Sequence, residues 1–143
     1  LMPKTLDDLV TRMYAAISFQ RGAHPDWEDD RKLFAPGARL ARITDQTVEH
    51  FDLPSFEVSI EKMIASGELP EFREGEIARK TFVFGDMAHL WSVYESRREN
   101  NVIGRGINSI QAIRRDGEWK IHSMVWFRES QQHPIPEEFL IAH

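Results

Sequence analysis

The hydrophobic period of this chain changes once, near Glu74, and that change restricts the fold more than any other feature. Before it, apolar residues recur at helical spacing. Leu6, Leu9, Val10, Met13, Tyr14 and Ile17 form one stripe, and Phe56, Ile60, Met63 and Ile64 form another. After it the period is two, and residues 77–84, 88–98, 103–115 and 119–128 read as strands. Helices followed by strands place the chain among α+β folds, with helices on one face of an antiparallel sheet.

Local signals punctuate this pattern. Thr5 can cap the first helix, with Asp7 and Asp8 in the first turn where the helix dipole favours acids, and Gly22 ends it. Asp26 opens a short second helix through Phe34, which Pro36-Gly37 stops, and 38–44 reads as a short strand. Ser55 caps a third helix, which Gly67 closes. Gly85-Asp86 and Asp116-Gly117 are hairpin turns, and Asp-Gly between alternating strands is the strongest such signal in the chain. The tail contains Pro134 and Pro136 and ends in one helical turn at 137–141.

Length and composition exclude several classes of function. A chain of 143 residues suits a single domain, here with a core over about 5–129 and a tail over 130–143. It has no cysteine, which removes disulfides, thiol nucleophiles and thiolate metal sites. No apolar run is long enough for a membrane span. A net charge of −5 without a basic stripe argues against nucleic acid. Leu1-Met2-Pro3-Lys4 is not the start of a signal region, so a cytoplasmic protein is expected.

A two-residue turn at Asp116-Gly117 sets Gln111 opposite His122 and Ser109 opposite Met124. One face then carries Ser109, Gln111, Ile113, His122, Met124 and Trp126; the other carries Ile110, Ala112, Trp119, Ile121, Ser123 and Val125. On the strand before, His89, Trp91, Val93, Glu95 and Arg97 alternate with Leu90, Ser92, Tyr94 and Ser96. Both faces are partly apolar. Helices can cover one, and a second copy is the simplest cover for the other, so a homodimer is expected through Leu90, Tyr94, Ile110 and Trp119.

Several segments resemble a known superfamily. They are Tyr14-Ala15-Ala16-Ile17, Leu33-Phe34-Ala35-Pro36-Gly37-Ala38-Arg39-Leu40, the run from Gly85 to Arg97, Arg105-Gly106-Ile107-Asn108-Ser109-Ile110-Gln111 and Arg115-Asp116-Gly117-Glu118-Trp119-Lys120-Ile121. Over about residues 5–129 they are similar to the nuclear transport factor 2-like superfamily, in its SnoaL-like branch. The resemblance implies a cystatin-like α+β cone, three N-terminal helices on a strongly curved, mainly antiparallel sheet, enclosing a pocket. Members include isomerases, dehydratases, polyketide cyclases, epoxide hydrolases and binding modules without chemistry, so the fold does not choose the function. Steroid-isomerase-like relatives use a first-helix tyrosine, an acid ending the first strand and an acid in the penultimate strand. Tyr14 matches the tyrosine, but Arg42 and Gln111 stand at the other two places. The carboxylates that the epoxide-hydrolase pattern wants on the last strands are missing from 123–127 as well.

The same alignment puts His89, Trp91, Val93, Glu95, Ser109, Gln111, His122, Met124 and Trp126 around the pocket, and Arg42 is counted with them. His122 or His89 is then the candidate for proton transfer, with Gln111 and Tyr14 orienting polar groups; a histidine satisfied by a glutamine is equally an ordinary polar pair. His24, His50, His89, His122, His133 and His143 show no metal-ligand spacing, so neither metal nor cofactor is expected. Gly104-Arg105-Gly106 lies in a strand with no following helix to bind phosphate. The expected ligand is a small, mostly apolar molecule. The expected function is a cofactor-free acid/base isomerase, dehydratase or cyclase; the alternative is a non-catalytic ligand-binding or dimeric interaction module. The tail could also close the pocket or cross a dimer.

Overall fold

A computed structural model describes residues 1–141; Ala142 and His143, the end of the expected tail, lie outside the described residues. Helix α1 spans Leu6–Ile17, and the Thr5 side chain accepts the Asp8 N–H at 3.0 Å. Its buried face carries Leu9, Val10, Met13, Tyr14 and Ala16, the stripe seen in the sequence. Helix α2 spans Trp27–Lys32 and is capped by Asp26. It stops short of Phe34, which instead begins β1, Phe34–Ile43. Pro36-Gly37 does not break the chain here. It falls in the stretch of β1, between Phe34 and Arg39, where pairing with β6 becomes irregular.

Strand β2, Val48–Asp52, has no counterpart in the sequence reading. Only Phe51 of its residues is buried, so it shows no alternation to find. It leads into α3, Leu53–Ala65, whose cap is Asp52 rather than Ser55. Ser55 is the third helical residue, and its hydroxyl accepts the Asp52 N–H while Asp52 accepts the Ser55 N–H, a reciprocal capping box. Strands β3 (Arg73–Phe84), β4 (Met87–Arg98), β5 (Asn101–Arg115) and β6 (Glu118–Arg128) follow, then a single 3-10 turn at Glu137–Phe139.

The six strands form one sheet in the order β2-β1-β6-β5-β4-β3. All neighbours are antiparallel except β1 and β6. Consequently β1, β4 and β6 run in the same direction. The helices cover one face, where Leu33, Leu90, Ala112 and Ile121 are fully buried and Ile110, Trp119 and Tyr94 nearly so. This is the α+β cone expected from the sequence. The residues expected at a dimer surface, Leu90, Tyr94, Ile110 and Trp119, instead form its core.

One extra residue accounts for that reversal. The turn at Asp116-Gly117 is a two-residue turn with φ values of 55° and 76°, and near it Ala112 pairs with Ile121 as expected. Between Gln111 and Ala112 the register then shifts, so Gln111 pairs with Ser123 and Ile110 with Met124. His122 is the extra residue, a bulge that lets Ile121 and Met124 both point inward although they lie an odd number of residues apart. Met124 and Trp126 therefore share the inner face with Ile110 and Asn108, while His122 is exposed. At the preceding hairpin the turn residues are Glu99 and Asn100, and a register shift between Ser96 and Arg97 then sets Trp91 opposite Ser109 and His89 opposite Gln111.

The outer face is covered in part by the chain itself. Phe139 of the tail packs on Trp91 at 5.6 Å between ring centroids, and Lys80 lies over the same ring. The described tail thus straps the outside of the sheet and does not close the pocket. No helix among the described residues is long and apolar enough to cross a membrane.

Gly104 and Gly106 sit on the inner face of β5 and explain the Gly-Arg-Gly run. A Cβ on Gly106 would strike the Tyr94 hydroxyl and approach the Phe127 carbonyl oxygen to 2.6 Å. A Cβ on Gly104 would strike the Arg128 guanidinium. Both glycines let long side chains from the flanking strands lie across β5. Gly106→Ala should therefore destabilise the fold by about 1–3 kcal/mol, because backbone as well as a side chain must move. A urea midpoint equal to wild type would show that β5 yields freely there.

Candidate functional site

The cone encloses an open cavity of about 410 Å³, bounded by α1, α3 and the inner face of the sheet. That volume suits a small molecule. Its walls are largely apolar: Met13, Ile17, Phe19, Phe34, Phe56, Ile60, Met63, Leu69, Phe72, Met124 and Trp126. Phe56 meets Trp126 edge to face at 5.6 Å and Phe51 at 5.7 Å, which fixes the aromatic end. The polar residues that reach the cavity are Tyr14, Asp30, Thr44, Glu74, Tyr94, Ser96, Asn108, Arg42, Arg98 and Arg128.

Tyr14 belongs to a chain of hydrogen bonds whose direction is determined. The Ser92 hydroxyl donates to Glu76, which Arg79 also holds at 3.1 Å. Ser92 therefore accepts from the Tyr14 hydroxyl at 2.6 Å, and Tyr14 accepts from the Asn108 amide at 3.0 Å. Arg79 continues to Asp7 on α1 at 2.8 Å. The Tyr14 hydrogen is thus spent inside the protein. Burial, first of all, raises the Tyr14 pKa well above the ordinary phenol value.

Glu74 lies two residues before Glu76 on the same strand face and has no such cation. Protein surrounds it closely, yet it keeps some accessible surface, as a side chain lining an open cavity must. Burial pushes its pKa up to about 7, while donors from Ser96, at 3.3 Å, and Asn108 hold it back. Asp30, on α2, is 3% exposed. Burial, then the nearby Glu57 and Asp29 charges, raise its pKa to about 7 as well. Its carboxyl has no side-chain hydrogen-bond partner among the described residues. Two carboxyls that change charge near neutrality therefore face one apolar cavity.

The residues singled out in the sequence divide between the two faces. Tyr14, Met124, Trp126 and Arg42 line the cavity. His89, Trp91, Val93, Glu95, Ser109 and Gln111 do share one face, but it is the outer one. There His89 bonds Ser109 at 3.0 Å and lies against Trp91 at 4.8 Å, and Glu95 pairs with Arg97 at 2.7 Å. Gln111 bonds Ser123 at 3.1 Å rather than His122. No histidine is among the cavity's lining residues. Sequence reading passed over Glu74 and Asp30. Glu74 precedes the expected strand start, and Asp30 sits in the run Glu28-Asp29-Asp30, which looks like a solvated helix face. The available signal was the alternation of Glu74 and Glu76 opposite Ser96 and Tyr94. Among the described residues no group of three or more histidine or acidic side chains could hold a metal.

No family model matches the chain, and no curated protein matches it. Solved structures do. A protein of unknown function with a cystatin-like fold from Nostoc punctiforme superposes with a TM-score of 0.66 at 14% identity, over 91% of this chain and 97% of that one. A protein of unknown function from Mycobacterium tuberculosis gives 0.63 at 21% identity, over 90% and 73%. A nuclear transport factor 2-like protein of unknown function from Silicibacter pomeroyi gives 0.61 at 17% identity, over 87% and 92%. The chain has the cystatin-like, nuclear transport factor 2-like fold.

Raised carboxyl pKa values make stability fall as pH rises. Between the ordinary values of 4.5 for Glu74 and 3.8 for Asp30 and their folded values of about 7, the folded protein holds protons that the unfolded chain has released. Stability should therefore fall from pH 5 to pH 7 and level off above it. Asp29, Asp52 and Glu129, whose pKa values are lowered, act below this window. Glu74→Gln and Asp30→Asn should each flatten the slope and raise stability at pH 8 by roughly 1–3 kcal/mol. Urea unfolding at pH 5 and pH 8 checks this; variants with the wild-type slope would place the titration elsewhere.

Proposed function

We propose that the chain is a SnoaL-like protein that binds a small, mostly apolar molecule in the cone and moves a proton on it without a cofactor. One observation supports this above all: two carboxyls from different elements, both near neutrality in pKa, face the same apolar cavity. Their surroundings separate their roles. Glu74 has Ser96 and Asn108 to stabilise its anion, so it is the base. Asp30 lacks such donors, so we assign it as the acid. Glu74 would take a proton from carbon next to a carbonyl while Asp30 gives one to the carbonyl oxygen. The product is the enol, from which isomerisation or dehydration can proceed. Tyr14, with its hydrogen committed to Ser92, is a positioning residue.

The reaction can be sought without knowing the substrate. Small apolar ketones incubated with protein in D2O should exchange α-hydrogens faster than in buffer, read by NMR. Glu74→Gln and Asp30→Asn should lower that rate about 10²–10⁴-fold. Variants that exchange at the wild-type rate would sink the mechanism. Binding of the ketones with no exchange would favour the cavity as a non-catalytic binding module, a reading that the commitment of the Tyr14 hydrogen also favours.

We retain a homodimer in this reading, with its surface moved. Phe82, Phe84, Met87 and Ile113 adjoin on the outer face beside the β3–β4 turn, and Phe84 is 81% exposed. A second copy would cover this patch. Native mass spectrometry at micromolar concentration should show dimer, and Phe84→Glu should return it to monomer. Monomer alone in the wild type would remove the dimer from the proposal.

A further inference from the structure

We propose that the mouth of the cone holds a carboxylate carried by the same small apolar molecule, gripped by Arg98 and Arg128. This deepens the reading above and rests on it. Because β1, β4 and β6 run in the same direction, their C-terminal ends meet at one rim. Each brings an arginine there, Arg42, Arg98 and Arg128, and all three line the cavity.

The three are not equivalent. Arg42 is already paired with Glu49 at 3.1 Å and lies over the rings of Phe51 and Trp126. Arg98 and Arg128 make no ion pair among the described residues. The Nε of Arg98 is buried and has no hydrogen-bond partner. A buried donor without an acceptor is costly, and a shift of the guanidinium toward the cavity on binding would bring it to a carboxylate oxygen. Arg128 lies flat across Gly104, so close that a Cβ there would come within 2.6 Å of its Cζ and Nη2. The strand thus omits a side chain where the guanidinium rests. A planar fork suits the two oxygens of a carboxylate.

Ile103, Trp126, Met63 and Ile60 line the same cavity as these arginines. The geometry fits an anionic head at the mouth and an apolar body within.

The test compares octanoate with 1-octanol by calorimetric titration, in wild type, Arg98→Gln, Arg128→Gln and Gly104→Ala. Wild type should bind octanoate about 10-fold or more tighter than octanol. Each glutamine variant should lose most of that preference and keep its octanol affinity within about twofold. Gly104→Ala removes no charge but displaces the Arg128 fork, and it too should weaken octanoate alone. It decides the matter if a glutamine variant loses octanol as well. Equal binding of the two ligands by wild type, or an octanoate preference that survives all three substitutions, overturns the carboxylate site and leaves the cavity reading standing. Failure of wild type to bind either ligand overturns both.

Discussion

One directional chain of hydrogen bonds sets the geometry of the cone. It runs from Asn108 on β5 through Tyr14 on α1 and Ser92 on β4 to Glu76 on β3, where Arg79 meets the charge. Each member lies on a different element or faces a different neighbour, so the chain fixes helix α1 against three adjacent strands at once. A buried network of this kind is stable only when every donor finds an acceptor, and here the ionised end is matched by a cation. The same chain explains why Glu74 and Glu76 differ. They share a strand and a face, but Arg79 neutralises Glu76 and the network uses it as an anchor. Glu74, without a cation, is left protonatable and turned to the cavity.

Much of the fold could be read from the residues. The stripe Leu9, Val10, Met13, Tyr14 is the buried face of α1 because helical periodicity and burial coincide there. Asp116-Gly117 is a tight turn because both residues adopt positive φ, which Gly and Asp tolerate. What could not be read was a single inserted residue. A bulge at His122 leaves no mark in a hydrophobic pattern, yet it turns over every side chain after it in β6. Strand β2 escaped because only one of its residues is buried, and Asp30 because an acid on a short exposed-looking helix carries no sign of which side faces inward.

The row His89, Trp91, Ser109 and Gln111 illustrates the limit of reading polar aromatics as a pocket. These residues do neighbour one another, as their spacing implied. They are satisfied by each other and by the tail: His89 by Ser109, Trp91 by Phe139, Gln111 by Ser123. A surface of half-buried rings on a sheet looks the same in sequence whether helices or a strap cover it. Only the choice of covered face separates wall from exterior, and that choice follows from the volume of Leu90, Ile110 and Ile121 packing beneath the helices.

The parallel course of β1, β4 and β6 has a consequence for how molecules reach the interior. It brings three arginines to one end of a body whose formal net charge is −5. Glu49 already neutralises Arg42, so Arg98 and Arg128 are the charges left to meet an approaching anion. Their pull reaches little beyond a screening length of about 8 Å at physiological ionic strength. Attraction at the opening should therefore fade as ionic strength rises, while the apolar interior stays unchanged.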